Sequence, residues 1–129
     1  MVLNNTLLDK LTRLAIESPR LRINYNLHCS FEDSVQRLLN AIEPGAIIPI
    51  SRHPNCSETL ILLRGCLQVI IYDNDRNPIE TCILDNVSGN KGFHIEKGKW
   101  HNVKSIESGT VVFEVREGPY RPASIDDLL

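Results

Sequence analysis

From Ala46 to about Arg116 the chain is a succession of short apolar runs, broken by turn residues every ten or so positions, with no helical stretch between them. The runs read as strands at about 46–50, 58–64, 66–72, 79–85, 92–96, 101–106 and 110–116. Asp73-Asn74-Asp75-Arg76-Asn77-Pro78 and Glu107-Ser108-Gly109 are turn clusters, because their side chains bond their own backbone and glycine turns the chain cheaply. Strands joined this closely pair antiparallel, and they must face a second sheet or close on themselves to bury one side. The pattern predicts a mainly β protein, an antiparallel sandwich or small barrel.

Upstream the period changes to that of a helix. Over 6–16 the apolar residues at 7, 8, 11, 14 and 15 share one face, Thr6 with Asp9 resembles a capping box, and Pro19 stops the segment. A second helix is predicted from Phe31 to about Ile42, capped by Ser30, with Val35, Leu38, Leu39 and Ile42 on one face and Pro44-Gly45 at its end. The expected organisation is one domain: an N-terminal helical arm over 1–43, a barrel over 44–122 and a tail over 123–129.

With 129 residues the chain has room for one core and needs no disulfide or structural metal to fold. Its 14 basic and 16 acidic residues leave a net charge of -2, without the basic excess that a phosphate-backbone binder needs, so no nucleic-acid partner is expected. No apolar run approaches the roughly 20 residues of a membrane span, and the first residues, Met1-Val2-Leu3-Asn4-Asn5, lack the pattern of a secretory signal. No membrane partner and a cytoplasmic location are the expectations. The four cysteines form no C-x-x-C pair and are expected to be free thiols.

Histidine is scarce, at four residues: His28, His53, His94 and His101. His53 lies on a predicted loop just before Glu58, which opens a strand. Alternation puts Glu58, Leu60 and Leu62 on one face, and a carboxylate facing a barrel interior is costly unless paired or bound to a cation. In the later segment, Gly98 is followed by His101, which opens another strand with Val103 and Ser105 on its face.

These two segments resemble the paired motifs of the cupin superfamily. The first matches through His53, Glu58 and Gly65, with four residues between His53 and Glu58 and six between Glu58 and Gly65; the second matches through Gly98 and His101. Ser51 stands where the family's first histidine would be, Glu96 where its proline would be, and Ser105 where its final asparagine would be. The chain is similar in particular to the WbuC-type cupin metalloproteins, found beside bacterial surface-polysaccharide genes. The shared features are Asn26-Leu27-His28, Gln36-Arg37-Leu38-Leu39-Asn40-Ala41, Arg52-His53-Pro54, Trp100-His101 and the ending Phe113 to Tyr120.

The resemblance implies a cupin (RmlC-like) jelly roll with one or two N-terminal helices, carrying a divalent transition metal on His53, Glu58 and His101. Two imidazoles and a carboxylate suit Fe, Mn, Ni, Co or Zn and leave positions open for a ligand. His28 is the expected fourth ligand, with Cys56 as the alternative, and Ser51 would hold a metal-bound water. Ser51, Cys56, Trp100 and Tyr120 are the expected contacts of a small-molecule ligand such as a sugar or sugar-nucleotide derivative. Arg22, Arg37, Arg52 and Arg64 are candidates to clamp an anionic group. A homodimer is expected, as is common for these barrels. Two rivals stand beside this reading: a metal-free sugar-nucleotide epimerase using a histidine base, and a non-catalytic sugar-binding module.

Overall fold

The computed structural model describes residues 1–121 and 124–128. The first helical period forms α1, Asn5–Glu17, which buries Leu8, Leu11 and Ala15 as one stripe. Its cap is Asn4 rather than Thr6: the Asn4 side-chain oxygen accepts the Leu7 N–H at 3.1 Å, satisfying one of the helix's unpaired donors. No described helix is long and apolar enough to cross a membrane.

The second expected helix is not a helix. After β1, Arg22–Asn26, the segment becomes strand β2, Val35–Ile42, paired antiparallel with β1. The sheet therefore takes in residues 22–42, which the sequence assigned to the helical arm. The misreading has a physical cause. Leu39 and Ala41 pack under α1 while Ile42 faces the barrel core, so β2 is covered on both sides and its apolar residues run together. Continuous burial erases the alternation that marks a strand, and spacings of three and four then mimic a helix.

Six more strands follow: β3 Glu58–Arg64, β4 Leu67–Tyr72, β5 Pro78–Leu84, β6 Gly92–Ile95, β7 Trp100–Ser105 and β8 Val111–Glu117. Each matches an expected run to within about two residues. The expected strand over 46–50 is absent; only Ser51 makes isolated bridges, and Ile47 is 87% exposed. A five-stranded sheet in the order β1-β2-β8-β3-β6 faces a three-stranded sheet in the order β5-β4-β7, and every pairing is antiparallel. Ile42, Leu60, Ile95 and Val112 from the first sheet meet Leu67, Val69, Ile71 and Leu84 from the second to form the core. The architecture is the expected jelly roll. A second core, between α1 and the outer face of β1, β2 and β8, contains Leu8, Leu11, Leu39 and Val111.

Candidate metal centre

The register of the strands decides which side chains enter the barrel. Leu60 and Val112 lie in the core, so alternation turns Glu58 on β3 and Glu114 and Arg116 on β8 inward as well. On β7, Val103 pairs with the core residue Val69, which puts His101, two residues away, on the same inner face. His53 reaches this point from the loop before β3. Ser51 and His101 exchange backbone hydrogen bonds of 3.0 and 2.9 Å, and the Gly98 N–H donates to the His53 carbonyl at 2.9 Å. Gly98 has a φ of +77°, a turn geometry that favours glycine, which is why a glycine stands in the second motif.

The structure thus brings His53, Glu58 and His101 together, with one ligand atom from each within 4.8 Å of the others. His53 Nε2 lies 3.1 Å from Glu58 Oε2, and the two histidine rings are 5.5 Å apart. Glu58 and His101 are buried, while His53 keeps part of its edge toward the outside. The donor set fits a divalent ion. His101 Nδ1 is 2.9 Å from the Lys99 carbonyl, which can only accept, so Nδ1 carries the proton and Nε2 keeps its lone pair. Ligands around one ion with bonds of about 2.1 Å sit roughly 3–4 Å apart, and the observed spacing needs only a small contraction.

Electrostatics favour a carboxylate and neutral imidazole here. Burial alone would raise the Glu58 carboxyl, but its hydrogen bond with His53 and the charges of His101, His53 and Arg116 outweigh that and hold it below the ordinary value. Burial pushes His101 down, opposed only in part by Glu58 and the Lys99 carbonyl.

The other expected residues fall in different places. His28 is not part of the cluster: its Nδ1 lies 3.1 Å from the Arg37 carbonyl and its ring packs 5.8 Å from Phe31, in the turn of the β1–β2 hairpin. Arg37 takes up the ring there, so the fourth-ligand expectation does not hold among the described residues. Ser51 lines the barrel cavity together with the three clustered residues; that cavity has a volume of about 190 Å³. Cys56 and Tyr120 line a second cavity that shares His53 and Arg116 with the first; Cys56 is not part of the cluster, and burial raises its thiol. Trp100 is buried, with its Nε1–H donated to Asn74 Oδ1 at 2.8 Å and the Arg52 guanidinium 4.5 Å over its ring, so it ties β7 to the β4–β5 turn. Arg52 is paired with Asp127 at 2.9 Å and Arg64 with Asp9 at 2.6 Å.

Comparison with known proteins bears on the whole arrangement. The family model described as "Domain of unknown function (DUF6016)" matches residues 3–84. The chain belongs to the DUF6016 family. No curated protein matches it. Among solved structures it is similar to BH2720 from Bacillus halodurans, at 19% identity over 96% of this chain and 85% of that one, with a TM-score of 0.66. It is also similar to KdgF from Halomonas sp. (13% identity, 81% and 84% covered, TM-score 0.63) and to the cupin domain of Schizosaccharomyces pombe Cnp3 (14%, 74% and 64%, TM-score 0.60). At these identities the likeness establishes the cupin fold and leaves the site to be argued from this chain.

Arg116, Glu114, Asn40 and Asn102 are polar cavity residues that sequence reasoning missed in this DUF6016 chain. Arg116 lines both cavities and places Nη1 3.4 Å from His53 Nε2, so that nitrogen either accepts from Arg116 or donates to Glu58, one at a time. The signal was present, since Val112, Glu114 and Arg116 share one strand face, and Val112 is wholly buried.

Glu114 is surrounded by protein yet opens on the cavity. Burial and the nearby Glu58 charge push its carboxyl up to about 7, despite a 3.0 Å hydrogen bond from Asn40. A carboxyl whose folded value lies above its unfolded one favours folding at low pH, and that advantage is lost as pH rises from about 4.5 through about 7. Glu114→Gln keeps the neutral form at every pH. Its stability relative to the native chain should therefore rise between pH 5 and pH 8, by about 1–2 kcal/mol once solvent in the cavity is allowed for. Urea denaturation at the two pH values is the measurement; a difference that stays constant or shrinks with pH would contradict this account of Glu114.

Proposed function

We propose that this chain is a cupin metalloprotein that holds a divalent transition metal, of the Fe, Mn, Ni, Co or Zn group, through His53, Glu58 and His101. The observation that carries this reading is the convergence of three donor atoms, from a loop and from both sheets, within 4.8 Å. Bound there, the metal supplies Lewis acidity toward an oxygen of a small polar ligand. The chain's own residues do the rest: the Lys99 carbonyl fixes the His101 tautomer, the Ser51–His101 backbone bonds hold the His53 loop, and Arg116 places positive charge beside the cluster. The WbuC-type resemblance supports a sugar or sugar-nucleotide derivative as the ligand and surface-polysaccharide metabolism as the setting.

The test is metal analysis of protein purified without a nickel column, comparing the native chain with His101→Ala. About one metal per native chain and almost none in the variant is the expected result. Equal and negligible metal in both overturns the reading.

One observation favours a second reading, a metal-free binding module: the Arg116 guanidinium beside His53 and Glu58 already answers the carboxylate's charge. In that case ligand binding would be insensitive to chelator.

A further inference from the structure

Buried polar atoms without partners are rare in folded proteins, and each one asks for an explanation. Among the described residues, four side-chain atoms are in this state, and two of them, Arg22 Nε and Asn40 Oδ1, belong to the wall of the barrel cavity. Asn40 is 9% exposed, and its Nδ2 donates to Glu114 Oε1. Whichever way the amide is turned, one of its two polar atoms is left facing the cavity unpaired.

The two residues are connected to the metal cluster by register. Arg22 pairs with Ile42, two positions from Asn40; Asn40 pairs with Val112, two from Glu114; and Glu114 pairs with Leu60, two from Glu58. Arg22, Asn40, Glu114 and Glu58 therefore form a diagonal polar row across β1, β2, β8 and β3, each step being a cross-strand diagonal of the kind that long side chains bridge. Beside a core cluster built of Leu, Ile and Val, such a row is costly unless its polar groups find partners.

The charge along the row is unbalanced. No described carboxylate lies within 4.0 Å of the Arg22 guanidinium. Partial burial and the nearby Arg20 charge both disfavour its cation, and Glu114 is the carboxylate that counters them. A buried guanidinium donor calls for an oxyanion, and the Asn40 oxygen beside it calls for a hydroxyl.

We propose that Arg22 and Asn40, with Glu114 beside them, form a ligand subsite on the cavity wall that takes the acid end of a small polyhydroxylated carboxylic acid. Arg22 donates its N–H groups to the carboxylate, the Asn40 side-chain oxygen accepts a hydrogen bond from a hydroxyl, and the rest of the molecule faces His53, Glu58 and His101. The subsite rests on the reading that the cavity binds a small polar ligand, but it does not require the metal.

Calorimetric titration of chelator-treated protein with D-gluconate, D-glucitol and hexanoate tests it, because the latter two lack the charge or the hydroxyls. Gluconate is expected to bind at least tenfold tighter than either, and Arg22→Gln is expected to remove that preference. In the native chain, without any substitution, gluconate should also shift the NMR signals of the Arg22 Nε–H and the Asn40 side-chain amide. Equal affinity for the three compounds, no binding of gluconate, or shifts confined to surface residues overturns the proposal. Gluconate binding that is lost in His101→Ala but unchanged in Arg22→Gln overturns it too, while leaving the metal reading intact.

Discussion

Glu58→Gln should weaken the binding of Zn(II) or Ni(II) by at least about 100-fold, close to 2.7 kcal/mol, in titrations of chelator-treated and dialysed protein. Glutamine has nearly the same shape, so it keeps the packing at the start of β3 while removing the negative charge and the strongest oxygen donor. Changes merely outside a metal's ligand set cost about 10–100-fold, and the loss of a ligand belongs at or beyond the top of that range. The stabilisation of the folded chain by metal should fall with the affinity, because an ion that binds only the folded state stabilises in proportion to the logarithm of one plus the ratio of its free concentration to its dissociation constant. A variant that bound metal as tightly as the native chain would remove Glu58 from the site. Burial of Glu58 beside His53 and His101 is the reason for expecting otherwise.

Gly65→Ala should be strongly destabilising. Gly65 turns the chain from β3 to β4 at a φ of +94°, which costs a residue with a side chain about 1–2 kcal/mol. An added Cβ would also lie 2.3 Å from Thr110 Oγ1 and 2.6 Å from the Thr110 Cα, and backbone cannot step aside as a flexible side chain can. Thr110 is wholly buried, with its hydroxyl shared between the Cys66 and Glu107 carbonyls at 3.2 and 2.6 Å while accepting the Cys66 N–H at 3.1 Å. Forcing it outward adds overpacking of about 1–3 kcal/mol. The total, about 2–5 kcal/mol, is a large share of the roughly 5–15 kcal/mol that holds a domain folded. Gly98→Ala is the control: its φ is +77°, but nothing lies within 4 Å of its Cβ position, so only the backbone cost should appear. Urea denaturation of the two variants decides the matter, and equal losses would refute the steric argument.

The strands from β3 to β8 were legible in the sequence because most of them show one face to the core and the other outward, so their residues alternate. The same alternation put Glu58, Leu60 and Leu62 together, and His101 with Val103, as the structure has them. β2 was illegible for the opposite reason, since α1 covers one face and the barrel core the other. The expected strand at 46–50 failed because apolar residues alone do not make a strand; Ala46 and Ile48 pack on the core, but the segment finds no neighbour to pair with along its length. His53, Glu58 and His101 could be grouped from motif spacing, and Glu114 could be placed by its alternation with Val112, whereas Asn40 and Arg22 could not. Their residue types ordinarily face water, and only the register of β1 against β2 and of β2 against β8 shows that they point inward. His28 shows the converse error: a histidine in a shared segment, engaged with the backbone of its own hairpin.

Glu58 and His101 come from opposite layers of the sandwich, and His53 hangs on a loop stitched to one of them. Anything gripped between the three is therefore a clasp joining the two halves of the molecule. To lose it, the layers need only part slightly; to part, they must first let go of it. Occupancy of the cavity then becomes a property of the entire chain, registered as much in how slowly distant strands such as β1 and β5 exchange their amide hydrogens as in anything measured at the clasp.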